Sequence, residues 1–155
     1  MQTILMPIDF SDVTESMVEY VVGLCPKLDA EVVVLHACDV DPDDPEHGRA
    51  VLVPRIEKIV SRLEAAGCKA RSKLVFDSVI PSILDQLDVL KPAMVVVGSH
   101  GHGALHDLVV GSVAQSLLRS GRCPVLVVPA PRPADEANPV AIDIMSWDDT
   151  GYPML

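Results

Sequence analysis

The stretch best equipped for chemistry is Gly98-Ser99-His100-Gly101-His102-Gly103-Ala104-Leu105-His106-Asp107-Leu108-Val109-Val110-Gly111-Ser112. It begins at the end of an apolar run and ends where a helical pattern starts. Glycines at 98 and 101 allow a tight backbone and close approach of a ligand. Gly111 and Ser112 would open a helix whose free N–H groups favour an anion. The Ser112 hydroxyl adds a donor for a phosphate oxygen. The segment therefore reads as a phosphate cradle. It is no Walker A loop, because Gly-Lys-Ser/Thr is missing, and Gly101-x-Gly103 lacks the third glycine of a dinucleotide fingerprint. From Gly98 to Gly111 there is no Lys or Arg. Backbone dipoles, Ser112, the histidines and a metal ion are left to hold a phosphate.

Other reactive side chains have competing readings. Asp9 follows the first apolar run and suits a carboxylate that accepts ribose hydroxyls, a general base or a plain turn residue. His100, His102 and His106 invite a zinc reading, but no carboxylate frames them, so hydrogen bonding beside phosphates or exposure to solvent is favoured. No metal site made by protein alone is assigned. The acidic run Asp39 to Glu46 lacks the glycine and terminal Glu of an EF-hand and reads as a solvated loop. His36 is read as structural. Cys123 has only Arg122 nearby to lower its pKa, so a redox role is disfavoured.

Positioning these groups requires an alternating βα chain. Strands are predicted at Thr3 to Ile8, Glu31 to Ala37, Ala70 to Phe76, Ala93 to Val97 and Pro124 to Val128. Helices are predicted from Asp12, in a capping box with Glu15, to about Lys27; from Arg49 to about Ala66, stopped by Gly67; from Ile80 to Leu90; and from Gly111 to Ser120. Continuous apolar strands imply burial on both faces. The expected fold is α/β: a three-layer, Rossmann-like open sheet of five parallel strands with helices on both faces. Ligands of such sheets bind at the carboxyl ends of strands, which would gather Asp9, Ala37 and Gly98 at one edge.

The chain has 155 residues, 49% of them hydrophobic, enough for one buried core. Twelve Lys and Arg face 22 Asp and Glu, for a net charge of −10. The segment from Asp39 to His47 carries −5, and Ala130 to Leu155 carries −4. The rest is near neutral, so acidity does not exclude an anionic ligand from the core. Few basic clusters and 3% aromatics argue against nucleic acid and anionic membranes as partners. Without a visible signal segment or a C-x-x-C pair, Cys25, Cys38, Cys68 and Cys123 are expected as reduced thiols of a cytoplasmic protein. Residues 1–129 form the expected domain. Residues 130–155 are read as an acidic, Pro-containing tail, flexible or docked on a partner.

In its motifs the chain resembles the universal stress protein family, in its ATP-binding branch. Gly98, Gly101, Gly111 and Ser112 fit that branch's G-x2-G-x9-G-S/T pattern. Ile4 to Ser11, Leu35-His36 and Cys123 to Val128 resemble its first, second and closing strands. The third strand is followed by Asp77-Ser78-Val79, where relatives usually carry Gly-x-Pro. The resemblance implies an ATP site. Pro7, Ile8 and Asp9 would line the nucleoside pocket, and Ala37 would contact adenine through its backbone, with Val97 nearby. Gly98, His100, Gly101 and His102 would pass the ribose and phosphates. Gly111, Ser112 and Val113 would bind the phosphate chain. Mg or Mn would be held mainly by ATP. A homodimer through Pro124 to Val128 is also implied, with no protein partner specified. With no catalytic Lys or Arg finger in the loop, the expected role is a nucleotide-dependent regulatory module in stress response. A slow ATPase, an adenylate-transferring enzyme and an acidic scaffold for a basic partner are the alternatives.

Overall fold

A computed structural model describes residues 1–38, 45–99 and 110–130. The loop residues His100, Gly101, His102 and His106, residues 39–44 of the acidic loop, and residues 131–155 of the tail lie outside that set.

The elements alternate along the chain: β1 (Gln2–Pro7), α1 (Val13–Leu28), β2 (Ala30–Cys38), α2 (Pro45–Ala65), β3 (Lys69–Phe76), α3 (Val79–Leu90), β4 (Met94–Gly98), α4 (Ser112–Ser120) and β5 (Val125–Val128). The strands form one sheet in the order β3-β2-β1-β4-β5, with every pair parallel. The expected α/β architecture is therefore present, with element bounds shifted by a residue or two and α2 starting four residues earlier.

Alternation along each strand builds two cores. Ile4, Met6, Val32 and Val34 point to one face and meet Met17, Val21, Ile56 and Leu63 of α1 and α2. Leu5, Val33, Leu35 and Val95 point to the other and meet Ile83, Leu87, Ala114 and Leu117 of α3 and α4. Side chains of successive strand residues must alternate sides, so an unbroken apolar run needs helices above and below. Ile4, Leu5 and Met6 are fully buried, which makes β1 the centre of the molecule. Among the described residues, no helix is long and apolar enough to cross a membrane.

Helix ends follow local chemistry. Gly67, at φ 88°, closes α2 with two bonds: its own N–H to the Glu64 carbonyl and that of Cys68 to the Leu63 carbonyl. This is the left-handed glycine stop expected from sequence. The capping box at α1 does not form. Asp12 accepts from the adjacent Val13 N–H, while Glu15 turns outward to Arg62 of α2 at 2.7 Å. An available guanidinium has taken the carboxylate that the box would have used.

The cysteines need a correction. Cys25 and Cys68 form a disulfide with Cα atoms 6.1 Å apart, so two of the four are not free thiols. They lie 43 residues apart in sequence. The Gly67 turn brings Cys68 beneath the end of α1, and both residues are buried. Cys38 and Cys123 are in no disulfide. Burial raises the Cys123 pKa above its ordinary value, and a backbone hydrogen bond at Val95 offsets part of that.

Replacing Cys25 and Cys68 together by Ala should lower the unfolding free energy by about 2–4 kcal/mol in urea melts, since a long loop of the unfolded chain is freed. Non-reducing peptide mapping should recover the Cys25–Cys68 pair; two unlinked thiols would show the bond to be absent. For Cys123, a raised pKa leaves less thiolate at neutral pH. In a Cys38→Ser background, alkylation should be slower than for a free thiol, with its pH profile inflecting at a higher pH. Because the folded value exceeds the unfolded one, this group's stabilisation is complete below the unfolded pKa and is lost as pH rises through the folded pKa.

Candidate functional site

At the carboxyl end of the sheet a cavity of about 310 Å³ opens between β1 and β4. Strand order reverses there, because β2 and β3 lie to one side of β1 and β4 and β5 to the other. Adjacent strands whose connections leave in opposite directions cannot close the gap above their ends, so a crevice results. Its volume is at the lower end of the range for small-molecule sites.

Three elements supply the wall. Pro7, Ile8 and Asp9 come from the end of β1, Val97 and Gly98 from the end of β4, and Gly111, Ser112 and Val113 from the start of α4. These eight sequence-predicted residues are brought together. Ala37 is not among the lining residues. It is the penultimate residue of β2, one strand away, buried and in register with Val75. His100, Gly101 and His102 lie outside the described residues. The cavity also has walls that motif reading missed: Val13 and Met17 of α1, Val79 and Ile83 of α3, and Ala114. Their only sequence signal is an apolar residue in the first turns of helices that start beside the carboxyl edge.

The ends of the 98–111 loop are held next to each other. The Gly111 N–H donates to the Ser99 carbonyl at 2.5 Å, and the Ser99 N–H donates to Val128 of β5 at 2.7 Å. The Gln115 side chain donates to the Val110 carbonyl at 2.6 Å. These bonds fix the entry of α4 against the sheet, and Ser99 and Gln115 are positioning residues that the motif alone does not mark. Gly111 is the N-cap in an extended conformation and has no side chain to cap the helix. The first-turn N–H groups of Ser112, Val113 and Ala114 therefore have no intrahelical acceptor and border the cavity. Asp9 is the one charged group among the described lining residues, and no Lys or Arg is present. An anion here would meet backbone dipoles and a hydroxyl.

The β1–α1 turn is braced from β2. His36 Nδ1 lies 2.8 Å from the Ile8 carbonyl, and since a carbonyl only accepts, Nδ1 carries the proton and donates. The Ser11 N–H donates to Asp9 Oδ1 at 3.0 Å. Phe10 has a left-handed backbone, φ 59°, unusual for a bulky residue, and its ring sits 4.6 Å from the His36 ring. His36 is thus structural, as expected, and its function is to hold the turn that carries Asp9.

The profile of the universal stress protein family matches residues 1–129. The chain belongs to the universal stress protein family. A universal stress protein of Methanocaldococcus jannaschii is 26% identical over 140 residues, which cover 83% of this chain and 82% of that protein. The solved structure of hypothetical protein MJ0577 is similar at a TM-score of 0.75 and 26% identity, covering 84% of this chain and 97% of that one. More distant family structures share the fold and hold ligands. One universal stress protein is in complex with cAMP (TM-score 0.67, 22% identity, 84% and 98% covered). One from Archaeoglobus fulgidus is in complex with dAMP (0.68, 18%, 83% and 98%). One from Arabidopsis thaliana has AMP bound (0.64, 17%, 91% and 97%).

Replacing His36 by Phe would keep a ring against Phe10 but leave the Ile8 carbonyl without this donor. The expected cost is about 1–3 kcal/mol in urea unfolding. An unchanged midpoint would show that the bond does not brace the turn.

Proposed function

We propose that this universal stress protein binds an adenine nucleotide in the β1/β4 cavity, that the nucleotide is ATP, and that occupancy serves a regulatory role in stress response. The observation that carries the reading is the uncapped α4 N-terminus, set by the Ser99–Gly111 bond at the mouth of a cavity at the sheet's switch point. A helix start of that kind favours phosphate. The G-x2-G-x9-G-S spacing at Gly98, Gly101, Gly111 and Ser112 supports the triphosphate form, and the adenine nucleotides of the three ligand-bound family structures support the base.

In this reading Asp9 accepts ribose hydroxyls, with Pro7, Ile8 and Val97 along the nucleoside. Ala37 offers backbone groups to adenine from the end of β2. Gly98, His100, Gly101 and His102 follow the ribose and phosphates, and Gly111, Ser112 and Val113 take the phosphate chain. A divalent ion, Mg or Mn, fits only as a partner of the phosphates. The described lining residues offer one carboxylate and one hydroxyl, too few for a protein-built octahedral site. No Lys, Arg or positioned base lines the cavity among the described residues, which favours binding over rapid phosphoryl transfer. A second copy of the chain would pair along β5, since this strand is an edge of the sheet among the described residues.

Mass spectrometry of ligand released from the purified protein, followed by calorimetry, tests the reading. ATP should bind stoichiometrically without multiple-turnover release of ADP or AMP. Gly111→Val suits the local backbone, φ −60° and ψ 160°, but places a side chain where phosphate must approach. It should weaken ATP by at least tenfold, or about 1.4 kcal/mol, with little change in melting temperature. Equal affinity in the variant would remove the phosphate chain from α4.

A further inference from the structure

On the opposite side of the β1–α1 turn lies a second cavity of about 290 Å³, between the start of α1 and the middle of α2. Its lining is unlike that of the first. Arg55, Lys58 and Arg62 stand three and four residues apart on α2, so they share one helix face. Only Arg62 is neutralised locally, by Glu15 across the groove. Arg55 lies over the Phe10 ring, 4.2 Å from its centroid, and neither it nor Lys58 has an ion pair among the described residues.

The floor carries a second, independent observation. Ser11 and Thr14 also line this cavity, and each is about 95% buried, at 5% and 4% exposure. Their hydroxyl oxygens have no hydrogen-bond partner among the described residues. A buried hydroxyl without a partner is costly, and such groups in folded proteins are commonly met by a water or an ion. Thr14 stands in the first turn of α1 and Ser11 just before its N-cap Asp12, where the helix dipole favours negative charge. The Asp12 carboxylate is turned to the Val13 N–H and does not line the cavity.

We propose that this groove is an anion subsite, separate from the β1/β4 cavity, that takes a tetrahedral oxyanion of the phosphate type. Rotation of the Ser11 and Thr14 hydroxyls toward the groove supplies two donors. Arg55 and Lys58 supply the uncompensated charge, and the Arg62–Glu15 pair closes one end. Guanidinium and ammonium groups beside hydroxyl donors are the groups that recognise phosphate oxygens. Either free inorganic phosphate or the phosphate of a small phosphorylated metabolite meets this chemistry.

The test is an amide and side-chain NMR titration of the full-length protein with inorganic phosphate, ionic strength being held constant with chloride. Saturable shifts are expected at Ser11, Thr14 and the Arg55 side chain. Lys58→Gln, at an exposed position, should weaken that binding several-fold, and Ser11→Ala should weaken it again. Lys58→Gln should leave ATP affinity at the other cavity unchanged. A parallel titration with glycerol 3-phosphate separates the two sources: tighter binding than inorganic phosphate supports a phosphorylated metabolite, and equal or weaker binding supports the free ion. Non-saturating shifts over every basic residue, shifts confined to the first turn of α4, or unchanged affinity in Lys58→Gln would each overturn the proposal.

Discussion

The handedness of parallel crossovers organises this molecule. A strand–helix–strand unit is right-handed, so a chain that builds outward in one direction lays its helices on one face. Here α1 and α2 carry the chain from β1 to β2 and β3, and both pack on the face of Ile4 and Met6. To continue, the chain crosses back to the far side of β1, and α3 and α4 must then lie on the face of Leu5 and Val95. The change of face separates α1 from α4 above the ends of β1 and β4. The cavity is the space that this reversal leaves, and its walls come from both helical layers.

That origin explains the character of the candidate site. Its mouth is built from strand ends and a helix start, so its polar groups are mainly backbone N–H groups. Glycine at 111 leaves the α4 start uncapped, and Ser99 fastens it to the sheet. A cradle of this kind attracts phosphate without lysine or arginine. The negative net charge of the chain does not oppose it, because most of that charge sits in residues 39–47 and 130–155. Among the described lining residues the one fixed charge is Asp9, at the end of β1.

What could be read in the sequence depended on range. The strands, the helices and the Gly67 stop are written in local patterns and emerge close to their expected bounds. The residues expected near β1, β4 and α4 also meet around one cavity, because Asp9, Gly98 and Gly111 lie at or beside the ends of elements. Interactions between elements were less visible. Glu15 has the spacing of a capping box, yet Arg62, 47 residues later, claims it. Cys25 and Cys68 show no paired-cysteine motif, and only the packing of α1 beside the α2–β3 turn brings them together. Val79 and Ile83 reach the cavity because α3 crosses to the opposite face, which no local periodicity encodes.

The turn from Ile8 to Thr14 is where these separate constraints converge. One of its sides faces the β1/β4 cavity through Ile8 and Asp9, and the other faces the α1/α2 groove through Phe10, Ser11 and Thr14. The left-handed Phe10 reverses the backbone so that successive residues can serve opposite sides, a conformation that must be held from outside. His36 holds it through the Ile8 carbonyl and the Phe10 ring, Arg55 covers that ring from α2, and the Ser11 N–H ties back to Asp9. A group bound at Ser11 and Arg55 would therefore touch the same residues that orient the Asp9 carboxylate. The two cavities are physically joined through the four consecutive residues Ile8 to Ser11 and a strained backbone, and a displacement on one side has a short, continuous path to the other.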